Sequence, residues 1–144
     1  MTERTIRQII EGQTPVTAAA SISVTEAAQI MKERNVGALM VVDNDQLVGV
    51  FTERDALFRV LAQGRSGEST RLAEVMTREP KTIAPDKPFL HALQLMHDGG
   101  FRHLPVVQEG RLLGIVSVRD ALGPELESFV YELLRQEQIG EVLA

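Results

Sequence analysis

The chain of 144 residues has no cysteine. Disulfides, thiolate nucleophiles and cysteine-ligated zinc are therefore excluded. No apolar run approaches the roughly 20 residues needed to span a bilayer. The opening stretch, MTERTIRQII, is polar and mixed in charge, unlike a signal peptide, so a cytoplasmic protein without membrane partners is expected. Basic charge is also in deficit: 15 Lys and Arg against 20 Asp and Glu leave a net charge of −5. Without a basic surface, nucleic acid is not an expected partner.

Several chemical signatures are missing too. There is no Gly-x-Gly-x-x-Gly and no Gly-x-Ser-x-Gly elbow. The stretch from Gly64 to Thr70 lacks the lysine and the glycine spacing of a phosphate-binding P-loop, and reads as a flexible linker. His91, His97 and His103 are spaced by six, which does not set two of them on one helical turn as a zinc site needs. No catalytic residue, no metal site and no enzyme activity are expected. What the chain has instead is 44% apolar and 24% charged residues, enough for a sizeable core in one compact domain or two small subdomains.

The dominant feature is a repeat. The segment from Pro15 to Leu57 recurs from Pro80 to Leu122 at a constant spacing of 65 residues, with 15 of 43 positions identical and no gap. Chance would give about 3. A long repeat present twice suggests a pseudo-twofold pair, since solenoids generally need three or more units.

Each copy reads as β-α-β-β-α. A short extended piece leads into a helix, capped in the first copy by Ser23 with Glu26 three residues on. Val24, Ala27, Ala28, Ile30 and Met31 form its apolar face, and Phe89, Ala92, Leu93, Leu95 and Met96 do so in the second copy, which Gly99-Gly100 ends. Apolar runs around Asp43–Gln46 and Gln108–Arg111 read as hairpins. A second helix starts at Thr52 or Ser117. After Gly123-Pro124 a last helix is expected, with Leu126, Phe129, Val130, Leu133 and Leu134 on one stripe.

The segments closing the hairpins carry the chemistry. Gly49 to Asp55 and Gly114 to Asp120 each read glycine, two apolar residues, a hydroxyl residue, any residue, Arg, Asp. Thr52 and Ser117 suit N-caps, and Asp55 and Asp120 fall at N3, so capping alone accounts for these four. Arg54 and Arg119 are different, because a cation at a helix start opposes the dipole unless an anion is near. Hydroxyl, Arg and carboxylate together fit a nucleotide, with phosphate on the Arg and ribose hydroxyls on the carboxylate.

These segments, with Ala27-x-x-x-Met31, Leu39-Met40-Val41-Val42-Asp43, Ala92-x-x-x-Met96, Phe101-Arg102-His103-Leu104-Pro105 and the lead-in Leu72–Thr77, make the chain resemble a tandem pair of CBS domains, a Bateman module. The resemblance implies an α+β fold with a first domain over 5–64, a second over 72–123 and a C-terminal helix over 124–144. It implies no obligatory cofactor and a regulatory adenine nucleotide, AMP, ADP or ATP, with S-adenosylmethionine or NAD as other candidates. Asp55 and Asp120 would hold ribose. Thr52, Ser117, Arg54, Arg119, Arg102 and His103 would hold phosphate. Thr17, Ala18 and Leu39, and Thr82, Ile83, Leu104 and Pro105, would line the base pockets. Where the second copy has Arg102 and His103 the first has Gly37 and Ala38, so the second cleft is expected to be the better anion site. A homodimer and an unidentified regulated protein are the implied partners. The alternatives are a ligand-independent interaction module and, with least support, a small enzyme.

Overall fold

The structure is a computed structural model and describes residues 4–123 and 131–137. The first copy contains β1 (Thr17–Ala18), α2 (Val24–Arg34), β2 (Ala38–Asp43), β3 (Gln46–Thr52) and a helical segment that begins as α3 (Glu53–Asp55) and widens into a π-helical turn, Ala56–Leu61. The second contains α5 (Phe89–Gly99), β5 (His103–Gln108), β6 (Arg111–Ser117) and a 3-10 turn, Val118–Leu122. Before the copies come α1 (Ile6–Ile10), and α4 (Leu72–Val75) with β4 (Thr77–Arg78). The α+β class and the doubled layout follow the repeat. Of the last helix, 131–137 is helical with Leu133 and Leu134 exposed, while Leu126, Phe129 and Val130 lie outside the described residues.

Local chemistry explains the elements. The Ser23 hydroxyl accepts the Glu26 N–H at 3.1 Å and starts α2. Asn35 and Gly100, both left-handed, end α2 and α5. Each hairpin turns on two residues with positive φ, Asn44-Asp45 and Glu109-Gly110, whose twist matches that of the flanking strands. The early extended piece is weaker in the second copy, where only Ile83 bridges β5, at Val106.

The lead-in helices cross over. Ile6 and Ile10 of α1 are buried in the core of the second copy, with Phe89, Ala92, Met96 and Leu104. Leu72 and Val75 of α4, with Met76, are buried in the core of the first, with Ala27, Met31, Leu39 and Phe51. The backbone contacts are matched. Ile6 and Arg7 N–H donate to the Lys87 and Pro85 carbonyls, each at 2.9 Å, while Leu72 and Ala73 N–H donate to the Ile22 and Ala20 carbonyls, each at 3.0 Å. Ala20 and Pro85, which differ in sequence, thus do the same job through the main chain. The stretch Gly64–Thr70 is not a loose linker: the Thr25 N–H donates to Gly67, the Val24 N–H donates to Thr70, and Thr70 is buried. It must lie on the first copy to return α4 to that core.

The copies meet in a third apolar cluster, Ala38, Met40 and Val50 against Leu47, Leu112 and Ile115. There β3 and β6 join one sheet, in register at Gln46 and Arg111. The crossing also explains the two motif glycines. A Cβ on Gly49 would stand 2.5 Å from the Met76 Sδ, and one on Gly114 would stand 2.9 Å from the Ile10 Cβ. Gly114→Ala should therefore push α1 off β6 and cost about 1–3 kcal/mol, the usual range for overpacking. Urea unfolding of the variant beside the wild type measures it, and an unchanged midpoint would show that α1 yields freely.

Candidate functional site

Two clefts flank the junction of the copies. The smaller, about 560 Å³, carries Thr52, Arg54, Asp55 and Arg59 from the first copy's motif segment on one side. Facing them are Lys81, from the lead to the second copy, and Arg102, His103 and Pro105, from the start of its hairpin. The larger, about 1000 Å³, is arranged the other way: Ser117 and Arg119 of the second motif face Pro15, Val16, Ala38 and Met40 of the first copy. Each cleft thus joins the motif of one copy to the strand start of the other.

Within the first motif the capping pattern is fully formed. The Thr52 N–H donates to Asp55 Oδ2 at 2.9 Å, and the Asp55 N–H donates to Thr52 Oγ1 at 3.2 Å. The other carboxylate oxygen, Oδ1, lies 3.5 Å from Arg59 Nε, and Arg59 Nη1 donates to the Val75 carbonyl at 3.0 Å. Arg59 therefore ties the motif to the crossing helix. The Thr52 hydroxyl proton is still available to a ligand oxygen, because a hydroxyl that accepts can also donate. In the second motif the Ser117 N–H donates to Asp120 Oδ2 at 2.8 Å. The repeat places Pro124 opposite Arg59, so the second motif has no guanidinium at that position. Instead Arg4, from the lead-in, donates through Nη2 to the Asp120 backbone carbonyl at 2.9 Å.

Both clefts are locally basic in a chain of net charge −5. Arg54, Arg59, Lys81 and Arg102 outnumber Glu53 and Asp55 around the smaller one. Lys32, Arg102 and Arg119 outnumber Glu53 around the larger. Apolar side chains supply the remaining walls: Phe58, Phe101 and Pro105 in the smaller, and Met31, Met40, Ile115 and Leu122 in the larger. A basic mouth over an apolar wall suits a flat ring carrying an anionic group.

Several expected site residues stand elsewhere. Leu39, Ile83 and Leu104 are buried in the two cores and line neither cleft. The cause is strand alternation, which turns Ala38, Met40, His103 and Pro105 to the clefts and Leu39 and Leu104 away from them. Thr17, Ala18 and Thr82 are also off the walls, which are reached two residues earlier, at Pro15-Val16 and Pro80-Lys81. Asp120 does not line the larger cleft, although Ser117 and Arg119 do. Arg102 and His103 do not single out a second cleft, because both residues line both clefts. Glu53, Arg59, Lys81, Lys32 and Met40 are cleft residues that the motif reading passed over. Arg59 could have been found at i+4 from Asp55, and Met40 as the repeat partner of Pro105.

A family model described as the CBS domain matches residues 6–62 and 72–124. The chain belongs to the CBS domain family. It is 39% identical over 118 residues to the CBS domain-containing protein CBSX3, mitochondrial, of Arabidopsis thaliana, covering 78% of this chain and 57% of that protein. The chain thus spans less than two thirds of that relative's length. A protein with CBS domains from Burkholderia ambifaria superposes with a TM-score of 0.80 at 33% identity, over 86% of this chain and 95% of the other. The CBS domain pair of protein MJ0100, solved in complex with 5′-methylthioadenosine and S-adenosyl-L-methionine, superposes with a TM-score of 0.76 at 32% identity, over 83% of this chain and 94% of the other.

Among the described residues of this CBS pair no group of His, Asp and Glu could hold a metal ion, and no helix is long and apolar enough to cross a membrane. His91 and His97 are exposed, whereas His103 is half-buried in the wall between the clefts. Burial pushes the His103 pKa below the ordinary 6.5; Glu53 opposes the shift, Arg102 and Arg119 add to it, and Asp120 opposes it. A folded state that refuses this proton loses ground wherever the unfolded chain accepts it. Stability contributed by neutral His103 is thus full above pH 6.5 and falls as pH drops from 6.5 towards the lowered folded value. Melting temperatures measured across that window should fall less steeply for His103→Gln than for the wild type. Parallel curves would show that His103 titrates normally in the fold.

Proposed function

We propose that this CBS pair is a regulatory module that binds an adenine nucleotide of the AMP, ADP or ATP type and passes the bound state to a partner protein. The observation that carries this reading is the make-up of each cleft: one copy's hydroxyl-Arg motif faces the other copy's strand start across an apolar wall, with cations in excess. Phosphate would sit among Arg54, Arg59, Lys81 and Arg102 in the smaller cleft, with the base against Phe101 and Pro105 and the ribose on Asp55. Lys32 and Arg119 would take the phosphate in the larger. The adenosine ligands named for the MJ0100 pair support an adenosyl compound here, and keep S-adenosylmethionine among the candidates. Because both clefts span the copies, a ligand that prefers one relative placement would shift the population towards it.

A homodimer belongs to this reading. Leu57, Phe58 and Leu61, on one helical segment beside the smaller cleft, are more than half exposed at 51%, 52% and 70%. Such a patch favours self-association near the site, which would bring ligand state to a protein surface. A ligand-independent interaction module is the second reading, favoured by the complete capping pattern of Thr52 and Asp55, which needs no ligand to explain it.

A thermal-shift panel of AMP, ADP, ATP, NAD and S-adenosylmethionine decides between them. A ligand at 100 times its Kd should stabilise the protein by about 2.7 kcal/mol. Asp55→Ala lowers the starting stability by about 1 kcal/mol through loss of the cap contact, so each shift is read against its own ligand-free baseline. The nucleotide reading expects that shift to shrink in Asp55→Ala. No shift with any compound favours the interaction module, whereas a full shift retained in Asp55→Ala overturns the placement of the ribose on Asp55.

A further inference from the structure

We propose that the two clefts are negatively coupled through one shared charged wall, so that a phosphorylated ligand in either cleft weakens the binding of a second in the other. The inference rests on the nucleotide reading above and adds its regulation. Four residues, Gly37, Glu53, Arg102 and His103, line both clefts. They are the strand starts of the two copies and the variable position of the first motif. Main-chain bonds fix them there: the Glu53 N–H donates to the Gly37 carbonyl at 3.0 Å, and the Val118 N–H donates to the Arg102 carbonyl at 3.1 Å. Each strand start is thereby fastened to the motif of its own copy, so the wall moves only if a motif moves.

The other cations are private. Arg54, Arg59 and Lys81 serve the smaller cleft alone, and Lys32 and Arg119 serve the larger alone. The wall offers one guanidinium and one imidazole for two anion sites. A guanidinium turned to a phosphate on one side presents its fork to that side only. A neutral imidazole has a single N–H to give. Once a phosphate in the smaller cleft engages Arg102 and His103, the larger keeps Lys32 and Arg119 beside the unneutralised Glu53 carboxylate. The second anion also meets the charge of the first across the residues that line both clefts. Both effects weaken the second event, and linkage makes the effect reciprocal. The smaller cleft has three private cations against two, but Asp55 offsets one of them, so the coupling acts whichever cleft fills first. Uncharged adenosine makes no demand on the shared donors, so its two events are independent of this coupling.

Titration calorimetry with AMP and with adenosine tests the coupling. For wild-type protein the second AMP event should be at least about tenfold weaker than the first, within the usual range of coupling between sites. Lys81→Glu places a carboxylate in the smaller cleft alone, at an exposed position, and an unchanged melting temperature checks the fold. The AMP event that remains, at the larger cleft, should then be about tenfold tighter than the second wild-type event, because Arg102 and His103 are released to it. Adenosine should show no such gain. Two wild-type AMP events of equal affinity, a remaining event no tighter than the second wild-type one, or loss of all AMP binding in Lys81→Glu overturns the coupling while leaving the nucleotide reading intact. If neither AMP nor adenosine binds the wild type, both fall together.

Discussion

The rest of the structure depends on the exchange of lead-in helices between the two copies. Neither sequence unit closes its own core. Ile6 and Ile10 complete the second, and Leu72, Val75 and Met76 complete the first. Burying large aliphatic side chains of this kind is worth about 1.5–3 kcal/mol each. Pulling the copies apart would expose all five, in addition to the shared cluster around Met40 and Ile115. The exchange thus makes two short domains one cooperative body. It also sets the clefts: the chain that leaves each crossing helix runs beside the strand start of the copy it leads into, opposite the other copy's motif, and so brings Pro15-Val16 and Pro80-Lys81 to the ligand surfaces.

That arrangement resolves the double character of the Thr-x-Arg-Asp motif. As a cap it is complete, with Thr52 and Asp55 satisfying each other's backbone N–H groups. As a ligand site it is half of one, because the opposing wall comes from the other copy. The cap fixes the hydroxyl and carboxylate in place before any ligand arrives, which lowers the ordering cost of binding. The copies differ here. Asp55 has Arg59 beside its second oxygen, whereas the matching position after Asp120 is Pro124.

Much of the fold was legible in the sequence. The fixed offset of 65 residues gave the pseudo-twofold pair, and helix faces, caps and turn residues gave the elements within each copy. The lead-in segments escaped this reading because their period differs: α1 and α4 are related by 66 residues, as the paired contacts of Ile6 and Leu72 show. The candidate site was legible in part. The hydroxyl and Arg positions of both motifs, Asp55, Arg102, His103 and Pro105 do line clefts. Leu39 and Leu104 were chosen by motif membership where the two-residue period of a strand turns them to the core.

What the sequence determined by itself was the local structure and its doubling, because caps, turns and strand periodicity depend on residues a few positions apart. It fixed Gly49 and Gly114 as special but not why; only the tertiary structure put Met76 and Ile10 against them. Which motif faces which strand start was likewise decided by the fold. The repeat is blind to that choice, since a cleft built within one copy and a cleft built across two use the same residues at the same spacing. The helix crossing selected the second arrangement, and in doing so placed Arg102 and His103 where both clefts reach them.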